Sequence, residues 1–238
     1  MSRFAGSRQA ERRMAAELRR VARLVADIIA RHTSGAEITD TKKMNEALRA
    51  YSSSLGPWAE TLTAKILESV QKNNLKAWTE ASRELGRELR TLRATTELGA
   101  TVTKLQNDQV TLIKSLPIEA GARAQALAQQ ASIDGSRASQ VAEEIARTGE
   151  VTASRATLIA RTEIAKANAA MTQARAEYVG ADQYIWRTAQ DGDVRESHAE
   201  LEGQVFKYDD PPYIDGEGNH GPGEFPNCRC FAEPIIPS

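Results

Sequence analysis

Three residues near the C-terminus combine side-chain types that bind zinc. His198 precedes Cys228 by 30 residues, and Cys230 completes a Cys-Arg-Cys run. Two thiolates and one imidazole suit Zn²⁺, which takes four nitrogen or sulfur ligands at the corners of a tetrahedron. We interpret these three residues as candidate metal ligands, with zinc as the implied cofactor. The candidates for the fourth ligand are a water molecule, Asp191, Asp193 and His220.

Two other interpretations of the same residues stay open. The thiols can be small buried apolar side chains, with His198 a hydrogen-bonded turn residue. They can also have a redox role, because reducing compartments keep thiols free. A Cys-x-Cys pair is a weaker metal signal than paired Cys-x₂-Cys motifs. A bound metal would, however, explain how the loop at 209–226, rich in Pro, Gly and Asp, stays ordered.

The residues around these candidates predict a small α+β module. A short helix carrying His198 is predicted over 194–202, with Asp193 as its N-cap and Gly203 as its terminating glycine. Aromatic and β-branched residues favour strands on either side of this helix. The predicted strands span 183–189, 204–208 and 229–235.

The preceding 180 residues read as amphipathic helices. Apolar residues spaced by three and four predict a first helix over 7–31, with a buried stripe that ends at Ile28. Asp40 is a plausible N-cap for a second helix, and a weak break is expected at 72–74. Further helices are predicted over 58–70, over 75–116 as one long helix or two, over 118–132 and 136–149, and from Thr152 or Ser154 to 180. Within them Gly99 is an uncertain point, Pro117 is expected to stop or kink the helix, and Ser136 is expected to cap one.

Charge and aromatic content change near residue 180, where the predicted helices end. The net charge of −1 is the sum of +7 for residues 1–180 and −8 for residues 181–238. Eight of the 12 aromatic residues lie at or after Tyr178. We therefore predict a mainly α N-terminal part with a small α+β C-terminal module. The predicted domains are a helical region over 1–150 that packs against partner subunits and a second domain over 151–238.

Composition also excludes several classes of protein. The content of apolar and charged residues is unlike that of collagen-like, disulfide-scaffold or fully disordered chains. No run of 18 apolar residues occurs, so we expect no membrane-spanning segment.

The first helix is strongly basic. Residues 1–31 contain eight arginines and three acidic residues. Such a helix can present a solvated charged face or contact the DNA backbone. Aromatic platforms for stacking on single strands are missing from this part of the chain. The candidate DNA contacts are Arg12, Arg13, Arg19 and Arg20.

The C-terminal part carries an ordered set of short motifs. The first is Arg161-Thr162-Glu163, followed by Asn168 and by Trp186-Arg187-Thr188. Asp193-Val194-Arg195 then leads to His198, Leu201 and Gly203. The last run is Pro-Gly-Glu-Phe-Pro-Asn-Cys-Arg-Cys at 222–230. Together these motifs resemble the phage Mu F-like minor head protein family, also called the phage head morphogenesis domain, over about 155–236.

The resemblance implies a minor structural protein of a tailed-phage head. Such a protein would assemble in the host cytoplasm, stay inside the virion near the portal, and assist capsid assembly or DNA packaging and delivery. Its implied partners are the portal, other head proteins and the DNA backbone. Related sequences often have a histidine where this chain has Phe225. A metal site that used this histidine would need another fourth ligand here, and His220 is the obvious substitute.

We expect mainly structural roles for the shared motif residues. Arg161 and Glu163 lie two apart on a helix and so do not face each other. Arg161 is expected to pair with an acidic residue of the C-terminal module, and Arg195 with its acidic loop. Trp186 is expected in the core. The other motif residues taken as structural are Asp193, Gly203 and Asn227.

An enzyme is the alternative function. Asp193, Arg195, His198, Asn219 and His220 can be pictured as a metal-dependent nuclease site, because metals activate water and histidine acts as a general base. Their spacing matches no nuclease motif, and no Gly-x-Ser-x-Gly, P-loop or His-Glu-x-x-His motif occurs. We therefore predict a protein that is not an enzyme.

Overall fold

A computed structural model describes residues 3–35, 37–85, 96–134 and 138–237. The helices are α1 (Arg8–Arg31), α2 (Thr41–Ser54), α3 (Gly56–Glu84), α4 (Thr96–Asp134), α5 (Ala138–Ala146), α6 (Thr148–Tyr178) and α7 (Glu196–Ala199). The strands are β1 (Thr33–Ser34), β2 (Glu37–Ile38), β3 (Gln183–Arg187), β4 (Val205–Lys207), β5 (Tyr213–Ile214), β6 (Gly218–Asn219) and β7 (Phe231–Pro234). The predicted fold class, a helical N-terminal part followed by a small module with antiparallel strands, is confirmed.

The structure divides into two compact units, each assembled from separate stretches of chain. One contains residues 13–63 and 107–160, and the other contains residues 1–12, 64–106 and 161–238. The division into domains at 1–150 and 151–238 stays a prediction, namely that each of these two parts folds independently. No helix in the described part of the chain is long and apolar enough to cross a bilayer.

Close helix packing characterises the unit made of residues 13–63 and 107–160. A Cβ atom added to Gly149 of α6 would lie 2.7 Å from the Cβ of Ala26 in α1. One added to Gly121 of α4 would lie 2.7 Å from a methyl carbon of Leu48 in α2. Only glycine therefore fits at position 149, whereas at position 121 an added Cβ would have to displace the Leu48 methyl group. In α1 the last buried residue of the apolar stripe is Ile29, not Ile28 as predicted.

Several predicted helix boundaries are wrong. Within the predicted 75–116, α3 ends at Glu84 and α4 begins at Thr96, and residues 86–95 lie outside the described residues. Helix α4 continues through the uncertain point Gly99 and does not stop at Pro117. Burial of the apolar face around Pro117 offsets the one backbone hydrogen bond, to the carbonyl of Ile113, that proline cannot make. Ser52 donates a hydrogen bond of 2.7 Å to the neighbouring carbonyl of Lys114, just before the proline, and so satisfies it. Helix α6 starts at Thr148, earlier than predicted. The predicted cap Ser136 lies outside the described residues.

The break predicted at 72–74 is also absent, because α3 continues through it. Asn74 is buried, and its side-chain amide donates to Asn168 and Thr172 of α6 at 3.2 and 2.8 Å. These bonds keep the Asn74 side chain from competing with the helix backbone. Asn168 in turn donates to the carbonyl of Phe4 at 2.8 Å, so one motif residue holds the N-terminal segment against α6.

The second unit contains a three-stranded antiparallel sheet in the order β4-β3-β7. The central strand β3 buries Tyr184 and Trp186 on one face, where they pack with Cys228, Cys230 and other apolar residues. The other face carries Arg187, which pairs with Glu233 of β7. The three predicted strands are therefore present, each shorter than predicted.

The helix that carries His198 is also shorter than predicted. Helix α7 is a single turn that starts at Glu196, with Arg195 at the N-cap position and no side-chain cap. The predicted cap Asp193 instead forms an ion pair with Arg229 at 2.9 Å, because a guanidinium lies within reach. Gly203 does end the turn region, with φ of 80°, and its N–H donates to the carbonyl of Trp186 at 2.9 Å.

Candidate metal centre

The short helix α7 brings His198 under the central strand of the sheet. The chain leaves β3, makes a turn at 191–194, and enters α7. The His198 side chain is only 1% exposed, and its ring packs edge-on against Trp186 with centroids 5.5 Å apart. Trp186 is itself fully buried. The sheet thus forms an apolar wall on one side of the imidazole.

Motif residues of α6 hold the loop that presents the cysteines. Asn227 has a left-handed backbone with φ of 62°, a conformation in which asparagine is enriched. Its side-chain oxygen accepts from Arg161 at 2.8 Å, and its N–H donates to the Thr162 hydroxyl at 3.0 Å. These contacts place Cys228 directly after a sharp bend, so that its thiol turns toward His198.

The three predicted ligands meet at one point. Nδ1 of His198 lies 3.4 Å from Sγ of Cys228 and 3.6 Å from Sγ of Cys230. A tetrahedral zinc ion with Zn–N of about 2.0 Å and Zn–S of about 2.3 Å requires N and S ligands about 3.5 Å apart. All three ligand atoms lie within 4.8 Å of one another. This buried cluster could therefore hold a metal ion without a large movement of its side chains.

The other ring nitrogen of His198 has a carboxylate partner. Nε2 of His198 lies 2.8 Å from Oε2 of Glu217, in the loop between β5 and β6. Since a carboxylate accepts, Nε2 carries a proton, and Nδ1 is the nitrogen that faces the two thiols. A carboxylate that orients a histidine in this way is the usual outer partner of a metal-binding imidazole.

Glu217 also binds two other side chains. Nε2 of His220 lies 3.0 Å from the same carboxylate oxygen, and the Arg195 guanidinium lies 3.4 Å from the other one. Arg195 further donates to the carbonyl of Pro226 at 2.8 Å and lies over the ring of Phe225. The predicted pairing of Arg195 with the acidic loop therefore has Glu217 as its partner.

The electrostatics favour a thiolate next to the imidazole. Hydrogen bonding with Cys230, opposed by burial and helped by His198, lowers the pKa of Cys228 to about 4. The same contact raises the pKa of Cys230, so one proton is shared by the pair. Burial lowers the pKa of His198, but hydrogen bonds with Cys228 and Glu217 outweigh it and hold that pKa above its ordinary value. Metal binding requires these protons to leave, so affinity should fall as the pH falls.

The candidates for a fourth ligand lie elsewhere. The carboxylates of Asp191 and Asp193 both bind Arg229, at 2.8 and 2.9 Å. His220 forms a second potential metal-binding group with Glu217 and His198, on the Nε2 side of the His198 ring. Among the described residues, no fourth His, Cys, Asp or Glu atom joins the first cluster.

The remaining motif residues make structural contacts. Arg161 pairs with Glu11 of α1 at 3.1 Å, so its acidic partner is not in the C-terminal module as predicted, although Asn227 of that module binds it too. Glu163 is buried and lies 3.4 Å from the ammonium group of Lys166. All four candidate DNA-binding residues of α1 are exposed, namely Arg12, Arg13, Arg19 and Arg20.

Sequence reasoning missed two acidic residues. Glu217 lies in the short connection between β5 and β6, where no periodicity relates it to His198. Glu202 accepts from Arg187 at 3.3 Å and from the backbone N–H of Thr188, so it fixes the Trp-Arg-Thr motif at the end of β3. Its position just before Gly203 in the motif was the only signal available.

The motifs converge on one pocket of about 280 Å³. Residues from the Arg-Thr-Glu, Trp-Arg-Thr and Cys-Arg-Cys motifs line it, together with the start of α1. They include Arg161, Asn168, Arg187, Arg229 and Cys230.

The motifs therefore define a small α+β module with a buried Cys₂His cluster. The cluster packs against the antiparallel sheet, and motif residues of α6 hold the loop that carries its cysteines. Residues 123–233 match the family model described as Phage Mu protein F like protein. Residues 123–233 therefore carry a Phage Mu F-like domain.

One relative matches a shorter segment. A protein of Haemophilus influenzae, described as an uncharacterized protein, is 45% identical over 58 residues. The segment covers 24% of this chain and 12% of the relative's length. No solved structure shows a significant match.

Proposed function

We propose that this chain is a minor structural protein of a tailed-phage head that acts near the portal during capsid assembly or DNA packaging and delivery. The match of residues 123–233 to the head morphogenesis family carries the proposal. The convergence of its motifs on one packed site supports a structural role. Burial of His198 and both cysteines argues against direct attack on a polymeric substrate and favours a protein that is not an enzyme.

The helical region over 1–150 would provide contacts with the portal and other head proteins. Large apolar side chains are exposed on its helices, including Leu24 at 49%, Ile118 at 42% and Ile133 at 80%. Exposed apolar surface of this kind is a common feature of protein contact sites. The protein would assemble in the host cytoplasm and remain inside the virion.

Co-expression with the portal protein of the same phage tests this function. We expect the full chain to co-purify with portal rings and Ile133→Glu to reduce the yield. Tyr213→Glu is the control, because Tyr213 is 70% exposed but lies outside the helical region. Full-length chain that never associates with the portal, at any salt concentration, would contradict the proposal.

We further infer that zinc occupies the Cys₂His cluster and ties α7, the following loop and β7 together. The N–S distances of 3.4 and 3.6 Å and the Glu217 partner support this assignment. Purified protein should contain one zinc ion per chain, and both chelation and Cys228→Ser should lower the unfolding temperature. Metal-free protein with unchanged stability would exclude zinc.

Contact with the DNA backbone is a second candidate function. Its support is the exposure of Arg12, Arg13, Arg19 and Arg20 on one helix, although Arg20 also pairs with Glu17. Four phosphate contacts give a slope of log K against log salt of about −3.6. Replacing all four arginines by glutamine should remove this slope, and an unchanged slope would count against the contact.

A further inference from the structure

We propose that the zinc centre has three protein ligands and that an exchangeable water molecule holds the fourth position. This inference rests on the proposed zinc ion. It selects water from the four candidates that the sequence left open and excludes Asp191, Asp193 and His220. The ligand class at the fourth position is a small Lewis base, namely water or hydroxide, which other small bases can displace.

The orientation of the His198 ring separates His220 from the metal position. The thiols of Cys228 and Cys230 face Nδ1, whereas Glu217 faces Nε2, on the opposite edge of the ring. His220 binds Glu217 and therefore lies on the Nε2 side. A metal bound by Nδ1 and the two thiols lies on the other side of the imidazole.

The nitrogens of His220 are also both engaged. Nε2 lies 3.0 Å from the Glu217 carboxylate, and Nδ1 lies 3.0 Å from the carbonyl of Gly221. Both nitrogens of His220 are therefore occupied by partners other than the two thiols. The Phe225 ring stacks on His220 with centroids 5.1 Å apart, which further holds this ring in place. His220 is thus an outer partner that shares Glu217 with His198.

Asp191 and Asp193 are unavailable for a different reason. Both carboxylates bind the guanidinium of Arg229, the residue between the two cysteines. Neither carboxylate belongs to the cluster of His198, Cys228 and Cys230. Coordination by either aspartate would break an ion pair with a guanidinium and leave that charge with one partner fewer.

Solvent has a route to the neighbourhood of the metal. Cys230 is one of the three ligands and also lines the open pocket of about 280 Å³. Residue Cys230 is 6% exposed, compared with 1% for His198. Three protein ligands with one solvent position is the arrangement typical of zinc sites that exchange a ligand, whereas closed structural sites use four protein ligands.

Cobalt substitution of the full chain tests this inference. Co²⁺ replaces Zn²⁺ and reports the ligand set through its visible absorption bands. We expect cyanide to shift these bands in the wild-type protein. Asp193→Asn should leave them unchanged, and His220→Ala should keep their response to cyanide, because neither side chain touches the ion. X-ray absorption of the zinc form should show two sulfur atoms, one imidazole and one further light atom.

The outcomes separate the two proposals. Failure to bind either metal overturns the zinc assignment itself. Stoichiometric binding with two imidazoles, or bands that change in His220→Ala and ignore cyanide, overturns only the open fourth position. If Asp193 were the fourth ligand, the bands would change in Asp193→Asn. That result would also overturn only the open fourth position.

Discussion

The Glu217 carboxylate is predicted to set the metal affinity of the Cys₂His cluster without touching the metal. It lies 2.8 Å from Nε2 of His198 and holds the ring so that Nδ1 faces both thiols. Glu217→Gln keeps the shape of the side chain and one acceptor oxygen but removes the negative charge. The variant should therefore fold and bind zinc more weakly.

The expected loss follows from the number of bonds that are changed. Outer partners of metal-binding histidines are worth about 10- to 100-fold in affinity, or about 1.4 to 2.8 kcal/mol. Glutamine retains one oxygen that can accept from His198, so we expect a loss of about tenfold. Glu217→Ala removes the acceptor completely, and a loss of about 100-fold is expected.

Competition with a chromophoric chelator measures these zinc affinities at fixed pH. Asp215→Asn is the matched control, because it removes the same charge from an exposed residue two positions earlier in the loop. This control should bind zinc like the wild type. Equal affinity of Glu217→Gln and the wild type, or an equal loss in Asp215→Asn, would refute the proposed role of the carboxylate.

Three further predictions concern stability, measured by denaturant unfolding. Asn227→Ala loses the bond to Arg161 and strains a left-handed residue, which should lower the free energy of unfolding by about 1–3 kcal/mol. Asn227→Gly should relieve the strain and lose less, and equal losses in the two variants would contradict this. Gly149→Ala places a Cβ 2.7 Å from that of Ala26, so it should cost about 1–3 kcal/mol, and adding Ala26→Gly should restore stability. Arg175 is 2% exposed, and burial lowers its pKa to about 10. Arg175→Met removes a costly buried charge, but it also takes a donor from the buried side-chain oxygen of Asn74. We therefore expect a loss of no more than about 1–3 kcal/mol, and a larger loss would contradict this balance.

The helical part of the chain was predictable wherever the local signal and the packing agree. Asp40 caps α2 as predicted, by accepting from the N–H of Lys43 at 2.9 Å. Pro117 does not end α4, because burial of the surrounding apolar face outweighs its local effect. Asn74 does not break α3, because partners in α6, over 90 residues away, satisfy its side chain.

The candidate site shows the same limit at shorter range. Residue type alone identified His198, Cys228 and Cys230, since few side chains bind soft metals. Spacing could not identify Glu217, because its role depends on the β5–β6 hairpin placing its carboxylate next to His198 of α7. Asp193 had the position of a helix cap, and the nearby Arg229 guanidinium made an ion pair the better partner.

Quantitative mass spectrometry of purified virions tests the proposed head function most directly. The particles are those of the phage that encodes this chain, separated from lysate by density gradient. A minor head protein should be present at a few copies per particle, far below the major capsid protein, and should resist protease in intact heads. A chain that is absent from virions and remains in the lysate would contradict the proposal.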